Sequence, residues 1–456
     1  MTASSRTPIE TLLGCRHPVV LAGMGGVARS ELVAAVGAAG GYGFLGMVRE
    51  PPRLIEAEVA RVRQAGIERF GVNIIPASTE KALLTAQIDT ILALKVPAVE
   101  LFWEMDPAAV GRFRDAGVTV VYQVGSVAEA QAAVKAGAEA IVAQGVEAGG
   151  HVRGTTPLGH LLPAVLAAVD VPVLAAGGLA RGADLATAQA LGAAGIVLGT
   201  ALIAAREAFA HPHHQQRLVD AGPEDTRLTD IFHINWPAGA AVRVLANAVT
   251  AGERGAAEQE ERVVIGEEEG RPIYLFSTDS PLRSMTGDFE AMALYAGTGV
   301  GAIKAVQPAA RIIEAVVEEA RAVVGGGGLE FVGQASPVCY ADEVGGAYMG
   351  FFEEAEAAAA TATIVALLRA GLARSLAGPR DGTPRPAFAG ADAVAVRDIL
   401  RLLPLAAAVP EAAGSAGDGE LLERLRALIP HLGEGPRRRA LLDISGRLEG
   451  AALACG

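Results

Sequence analysis

Eight short apolar, β-branched runs between residues 19 and 200, the alanine-rich amphipathic segments between them, and a recurring Ala-Gly or Leu-Gly closing pair together predict an α/β fold: a (β/α)8 TIM barrel. Strands alternating with helices specify a parallel sheet covered by helices. Eight such units close it into a barrel whose reactive end lies where the strands' C-terminal ends meet the following loops. The competing architecture, an open doubly wound sheet, is disfavoured by the count of eight and by the lack of an early Gly-x-Gly-x-x-Gly opening a helix.

The strands are expected at Val19 to Ala22, Tyr42 to Leu45, Phe70 to Ile75, Ala98 to Phe102, Val118 to Val124, Ala140 to Ala143, Val173 to Ala176 and Gly195 to Leu198. Each run is too short for a helix and suits a strand buried on both faces. The closing pairs Ala39-Gly40, Ala65-Gly66, Ala116-Gly117, Ala136-Gly137 and Leu191-Gly192 supply the left-handed residue that ends a helix before the next strand. After Thr200 the pattern changes, with helical segments at Ala201 to Phe209 and His213 to Ala221. A small inserted helical cap is expected over the barrel mouth at about 223–300, and Gln307 to Val324, with Pro308 near its start, reads as the barrel's postponed closing helix. The flavour of the chain then shifts again. Gly325 to Gly328 opens a linker at 325–335, and residues 336–456 read as a separate α-helical domain, so the barrel unit is placed at 8–325.

About half of the 456 residues are apolar, enough for a large core, and the formal net charge is −13. No lysine and arginine run with interleaved aromatics accompanies that charge, which argues against nucleic acid. The cysteines, Cys15, Cys339 and Cys455, have neither disulfide-framework nor zinc-ligand spacing. No signal-peptide core or membrane-length apolar stretch is seen, so a cytoplasmic location with no membrane association is expected.

His151 is the main chemical candidate. It follows the sixth strand within Gly149-Gly150-His151, and a titratable side chain among glycines at the reactive end suits proton abstraction or a hydrogen bond to a developing anion. Gly177-Gly178 and Gly199-Thr200 follow the last two strands, where loop amides frequently hold phosphate. Asn73 sits inside the apolar strand Gly71 to Ile75, Gln123 and Gln144 end two others, and amides near the barrel mouth offer donor and acceptor together to the edge of a planar heterocycle. His211, His213 and His214 have no carboxylate or cysteine at metal-ligand spacing, and Glu353, Glu354 and Glu356 lack a Glu-x-x-His, so no metal is expected.

The run Ala143-Gln144-Gly145-Val146-Glu147-Ala148-Gly149-Gly150-His151 resembles the signature of the nitronate monooxygenases. Gly71-Val72-Asn73-Ile74, Gln123-Val124, Ala175-Ala176-Gly177-Gly178, Leu198-Gly199-Thr200 and Thr286-Gly287-Asp288-Phe289 through Tyr295-Ala296-Gly297 extend the resemblance over roughly residues 8–325. It implies FMN as cofactor, His151 as catalytic base or anion-stabilising residue, and an alkyl nitronate or nitro compound with O2 as the small-molecule partners. It further implies that Met24, Asn73, Gln123, Gln144 and Gly149, with Gly150, surround the flavin, and that Gly178, Gly199 and Thr200, with Gly177, hold the phosphate.

Two departures stand out. The first turn reads Ala22-Gly23-Met24 where the family usually has proline before methionine, and Val197 stands where glutamine is common. FMN-dependent enoyl-acyl carrier protein reductases have a similar Glu-Ala-Gly-Gly-His loop, usually with Glu-Gly where this chain has Gln144-Gly145. That related chemistry, including a nicotinamide-driven quinone reductase, is the alternative reading, and a flavin-binding scaffold with a partner-recruiting tail is a second. The tail resembles a small ferritin-like helical domain through Ser336-Pro337-Val338-Cys339-Tyr340 and Ala347-Tyr348-Met349-Gly350. Its expected role is homo-oligomerisation or binding a protein partner.

Overall fold

The computed structural model describes residues 7–237, 239–255 and 262–325. The helical unit expected at 336–456, and the linker beyond Gly325, lie outside the described residues. Within the compact unit Met1–Ala322 the strands are β1 (Val19–Leu21), β2 (Tyr42–Gly46), β3 (Gly71–Ile74), β4 (Ala98–Leu101), β5 (Thr119–Val124), β6 (Ala140–Gln144), β7 (Gly150–His151), β8 (Val173–Ala176), β9 (Gly195–Leu198), β10 (Thr226–Thr229), β11 (Val242–Leu245), β12 (Val264–Glu268), β13 (Arg271–Tyr274) and β14 (Met285–Gly287). The helices are α1 (Pro8–Leu13), α2 (Ser30–Ala38), α3 (Pro52–Gln64), α4 (Lys81–Ala93), α5 (Pro107–Asp115), α6 (Val127–Ala136), α7 (Leu158–Ala168), α8 (Gly182–Ala190), α9 (Thr200–Ile203), α10 (Pro212–Asp220) and α11 (Ala309–Gly325).

Strands β1 to β6, β8 and β9 form a closed parallel barrel in chain order, with β9 pairing back onto β1. Each expected strand is found to within one residue at either end. The glycines of the five closing pairs all adopt left-handed backbone, with φ from 74° at Gly117 to 114° at Gly137, as a helix stop requires.

Because successive side chains of a strand alternate in direction, one set of every second residue fills the barrel. Val20, Phe44, Ala98, Val121, Val142, Leu174 and Val197 make its buried interior, and α1 closes the lower end with Ile9 and Leu13. Gly71 belongs to the same layer, and the Phe44 ring occupies the place its side chain would take, 2.3 Å from an ideal Cβ. Two residues further along, at the strands' C-terminal ends, the inward positions are Asn73, Glu100, Gln123 and Gln144 on β3 to β6. On β8 and β2, and just past β9 and β1, the corresponding positions are Ala176, Gly46, Gly199 and Ala22. One half of the rim is therefore polar and the other half is small.

The inserted segment differs from the expected helical cap. Its strands β10 and β11 form a three-stranded sheet with β7 of the His151 loop, and β13, β12 and β14 form another, while the helical content among its described residues is limited to short 3-10 turns. Phe232, Val242, Val244, Leu275 and Phe276 give it an apolar core of its own. The strands are short and charged, as in Thr-Arg-Leu-Thr and Arg-Pro-Ile-Tyr, so they carry little apolar periodicity. A signal was present nonetheless: Glu269-Gly270 joins β12 to β13 with both residues at positive φ, the two-residue hairpin turn that favours glycine. The helix expected at Ala201 to Phe209 stops at Ile203, because the buried Gln215 amide donates to the carbonyls of Ile203 and Ala205 that a longer helix would use. Among the described residues no helix is long and apolar enough to cross a membrane.

Candidate active site

A cavity of about 560 Å³ opens at the C-terminal end of the barrel. All eleven residues singled out from the sequence line it: Met24, Asn73, Gln123 and Gln144 from the first six strands and their loops, Gly149, Gly150 and His151 from the loop after β6, and Gly177, Gly178, Gly199 and Thr200 after the last two strands. The three histidines near α10 lie elsewhere. His213 bonds Glu290 at 2.8 Å and the buried His214 bonds the Tyr295 carbonyl at 3.0 Å. Among the described residues no cluster of His, Cys, Asp or Glu is placed to hold a metal.

The His151 loop is fixed almost entirely through its backbone. Gln144 spends both ends of its amide on it, donating to the His151 carbonyl at 2.9 Å and accepting from Arg153 N at 3.0 Å. Gln144 is thus a loop brace and not a free rim amide, which alters the role expected of it. Glu147 accepts from Leu158 N at 3.0 and 3.1 Å, tying the loop to the first turn of α7. His151 itself is not on a free loop: with Gly150 it forms β7, which pairs with Val242 and Arg243 of β11. Gly149 is excluded from carrying a side chain by Gly297 N, 2.4 Å from an ideal Cβ, so its smallness serves the contact between two loops.

The imidazole of His151 stacks on Trp236, ring centroids 3.5 Å apart at 15°, with the edge of Trp103 at 6.3 Å. Its Nδ1 has no hydrogen-bond partner among the described residues. Burial, reinforced by the nearby Arg49 charge, pushes its pKa down to about 3, so the free site holds a neutral imidazole. Burial likewise keeps the Tyr295 phenol protonated, and its hydroxyl donates to the Thr278 carbonyl at 2.8 Å.

A model of the family described as nitronate monooxygenase matches residues 6–319. The chain belongs to that family. A solved nitroalkane oxidase from Streptomyces ansochromogenes is 30% identical, covering 70% of this chain and all of that one, at a TM-score of 0.58. FabK from Thermotoga maritima is 27% identical, covering 71% of this chain and 98% of that one, also at 0.58. A hydroxy-methyl-oxo-octahydroindene-carboxyl-CoA dehydrogenase from Rhodococcus jostii is 34% identical over 224 residues, 49% of this chain. The aligned region spans only 62% of that relative's length.

Membership makes this chain a flavin-dependent oxidoreductase, and the cavity's own chemistry fits a flavin. An ideal Cβ at Gly199 meets nothing nearer than Ala22 and Met24 at 3.8 Å, so a side chain there would project into cavity space. Thr200 Oγ1 accepts from Gly297 N at 2.9 Å, leaving its own proton to donate. Asn73 Oδ1 is buried without a partner, and no hydrogen bond engages the Gln123 side chain among the described residues.

Four residues in or against the cavity were missed from the sequence: Arg49, Glu100 and Tyr295 in its lining, and Trp236 behind His151. Arg49 donates from Nη1 to the Asn235 carbonyl at 2.9 Å and has no carboxylate partner among the described residues. Trp236 and Tyr295 come from the inserted segment, whose approach to the mouth no local pattern announces. Glu100 is an acid inside an apolar strand, and its position in the inward register of β4 was the available clue. Arg49, Trp103 and Asn235 also share left-handed backbone, at φ 57°, 79° and 71°. Strain of that kind, of order 1–3 kcal/mol each, concentrates where neighbouring structure holds functional groups in place.

Proposed function

We propose that this enzyme binds FMN and oxidises alkyl nitronates, or the parent nitroalkanes, with O2 to a carbonyl compound and nitrite. The observation that carries this reading is the neutral His151 imidazole with its unpartnered Nδ1, in one cavity with the unpaired Arg49. A fixed positive charge beside a neutral imidazole matches a small anion whose charge rests on two oxygens. For a neutral nitroalkane, His151 takes the Cα proton as the anion forms, and the arriving negative charge raises the imidazole's proton affinity at that moment. Trp236 and Trp103 hold the ring in place and keep water off one face. Atom balance requires one O2 for each pair of nitronates converted to a pair of carbonyls and a pair of nitrites.

FMN would supply the redox chemistry, taking electrons from the nitronate and passing them to oxygen. Asn73, Gln123 and Met24 would flank the ring, Gly177, Gly178, Gly199 and Thr200 would hold the phosphate, and the bracing by Gln144 with Gly149 and Gly150 would fix the position of His151 in the site. We assign residues 8–325 to this catalytic unit and the tail at 336–456 to self-association or a protein partner.

The likeness to FabK and to the octahydroindene-carboxyl-CoA dehydrogenase supports a second reading, in which a nicotinamide or an acyl thioester exchanges hydride with the flavin. Anaerobic mixing of the yellow protein with ethyl nitronate, and separately with NADH and NADPH, decides between them. Bleaching of the flavin by nitronate alone is the expected result. Bleaching only by a nicotinamide would establish the reductase instead.

A further inference from the structure

Glu100 is the least accounted-for group of the cavity. It lies on β4 with 1% of its surface exposed, directly opposite Asn73 of β3 in the strand register. Oε2 accepts from Asn73 Nδ2 at 3.1 Å and, more weakly, from Gly23 N at 3.3 Å. Those two bonds orient the carboxyl and leave Oε1 buried with no partner. Asn73, having turned its amide nitrogen to Glu100, leaves Oδ1 without one as well. Gly23 is locked into the same arrangement: an ideal Cβ there would lie 2.1 Å from Asn73 Cβ and 2.8 Å from Glu100 Oε2.

An ionised carboxylate in such a place is costly without a cation. The groups that face Glu100 are the uncharged Asn73 and Gly23 amides. Besides Glu100, the charged and titratable groups lining the same cavity are Arg49, Glu50, His151, Glu268, Arg271, Asp279 and Tyr295. None of them makes an ion pair with Glu100 among the described residues; Arg271, for example, is committed to Glu268 and Asp279. Burial accordingly raises the Glu100 pKa to about 7, against the opposing pull of the Gly23 and Asn73 bonds. In the neutral acid Oε2 is the accepting oxygen, so the proton sits on Oε1.

We propose that Glu100, as a neutral carboxylic acid, donates from Oε1 to a carbonyl oxygen on the polar edge of the bound flavin ring, beside Asn73 Oδ1, which accepts the adjacent ring N–H. Donor next to acceptor on the protein is the complement of carbonyl next to N–H on an imide edge. This assignment rests on the flavin reading and adds a consequence to it. Cofactor binding is coupled to one proton held at Glu100, and affinity declines as that proton is lost.

The test uses the full chain freed of cofactor and FMN itself as probe, with binding read from quenching of flavin fluorescence at pH 6 and pH 9. Glu100→Gln keeps a neutral donor at every pH and reports any pH dependence that arises from the phosphate or other groups. The unmodified protein should weaken between the two pH values by at least ~10-fold more than Glu100→Gln. Glu100→Leu, which removes the donor, should bind ~10-fold more weakly at pH 6. If the leucine variant fails to fold, the comparison of unmodified and glutamine proteins carries the test alone. Equal pH dependence in those two proteins, or tighter binding by the unmodified protein at pH 9, overturns the assignment. Failure of the unmodified protein to bind FMN at any pH overturns the FMN reading and this assignment with it.

Discussion

Replacing His151 by asparagine separates proton abstraction from anion stabilisation. The substitution should leave the loop intact, because its anchors are backbone groups: the His151 carbonyl held by Gln144, and the β7 pairing with Val242 of β11. What is lost is the ring, with its stack on Trp236 at 3.5 Å and its unpartnered Nδ1. The stack contributes roughly 0.5–1.5 kcal/mol of stability, a modest loss for a barrel of this size. A general base is worth ~100-fold or more, or about 2.7 kcal/mol of barrier, and only the neutral nitroalkane needs one. Its nitronate has already lost the proton, so it should lose only the hydrogen bond to the anion, ~10-fold. The assay is oxygen consumption with nitroethane and with pre-formed ethyl nitronate, normalised to flavin content. Equal losses on both substrates at unchanged flavin content would refute a role in proton abstraction and leave His151 as an anion-stabilising group. Parallel loss of flavin and of both activities would show instead that the ring supports the loop.

Two glycines should respond oppositely to alanine. Gly199→Ala meets no protein atom closer than 3.8 Å, so the cofactor-free protein should keep its Tm while FMN affinity falls; unchanged affinity would remove Gly199 from the cofactor site. Gly178→Ala, at φ +70° with Thr298 Oγ1 2.7 Å from the new Cβ, should lower the Tm even without cofactor, by the equivalent of ~1 kcal/mol or more. Stability should decline in acid. His151 and His214 have folded pKa values of about 3 and 4, below the ordinary 6.5, so they contribute no penalty above pH 6.5, and their stabilisation of the neutral fold is lost as pH falls below that value toward the folded ones. Thermal melts of His214→Gln should show a shallower acid dependence than the unmodified protein, and identical slopes would contradict the assignment. A chain ending at residue 324 should retain flavin and turnover, since the cavity-lining residues among the described ones all precede that position; a soluble truncated protein lacking both would make the tail part of the site.

The barrel and most of its rim were legible in the sequence because they depend on local rules. Side-chain alternation sets each strand, left-handed glycines such as Gly117 and Gly137 stop each helix, and the register of a parallel barrel brings every strand's C-terminal end to one rim. His151, the glycine turns and the rim amides therefore converge on a single cavity once eight strands are recognised. What the tertiary structure alone decided involves partners far apart along the chain. Gly23 meets Glu100 across 77 positions, and Arg49 meets Asn235 across 186. No periodicity announces that Trp236 will lie on His151, or that Gln144 will spend its amide on a loop brace. The inserted strands escaped notice because they are short, charged and held by pairing with distant segments, as β11 is with β7. The charge states of His151 and Glu100 follow from the same cause: an amino-acid sequence carries each group's ordinary pKa, and only folding removes the water that held it there.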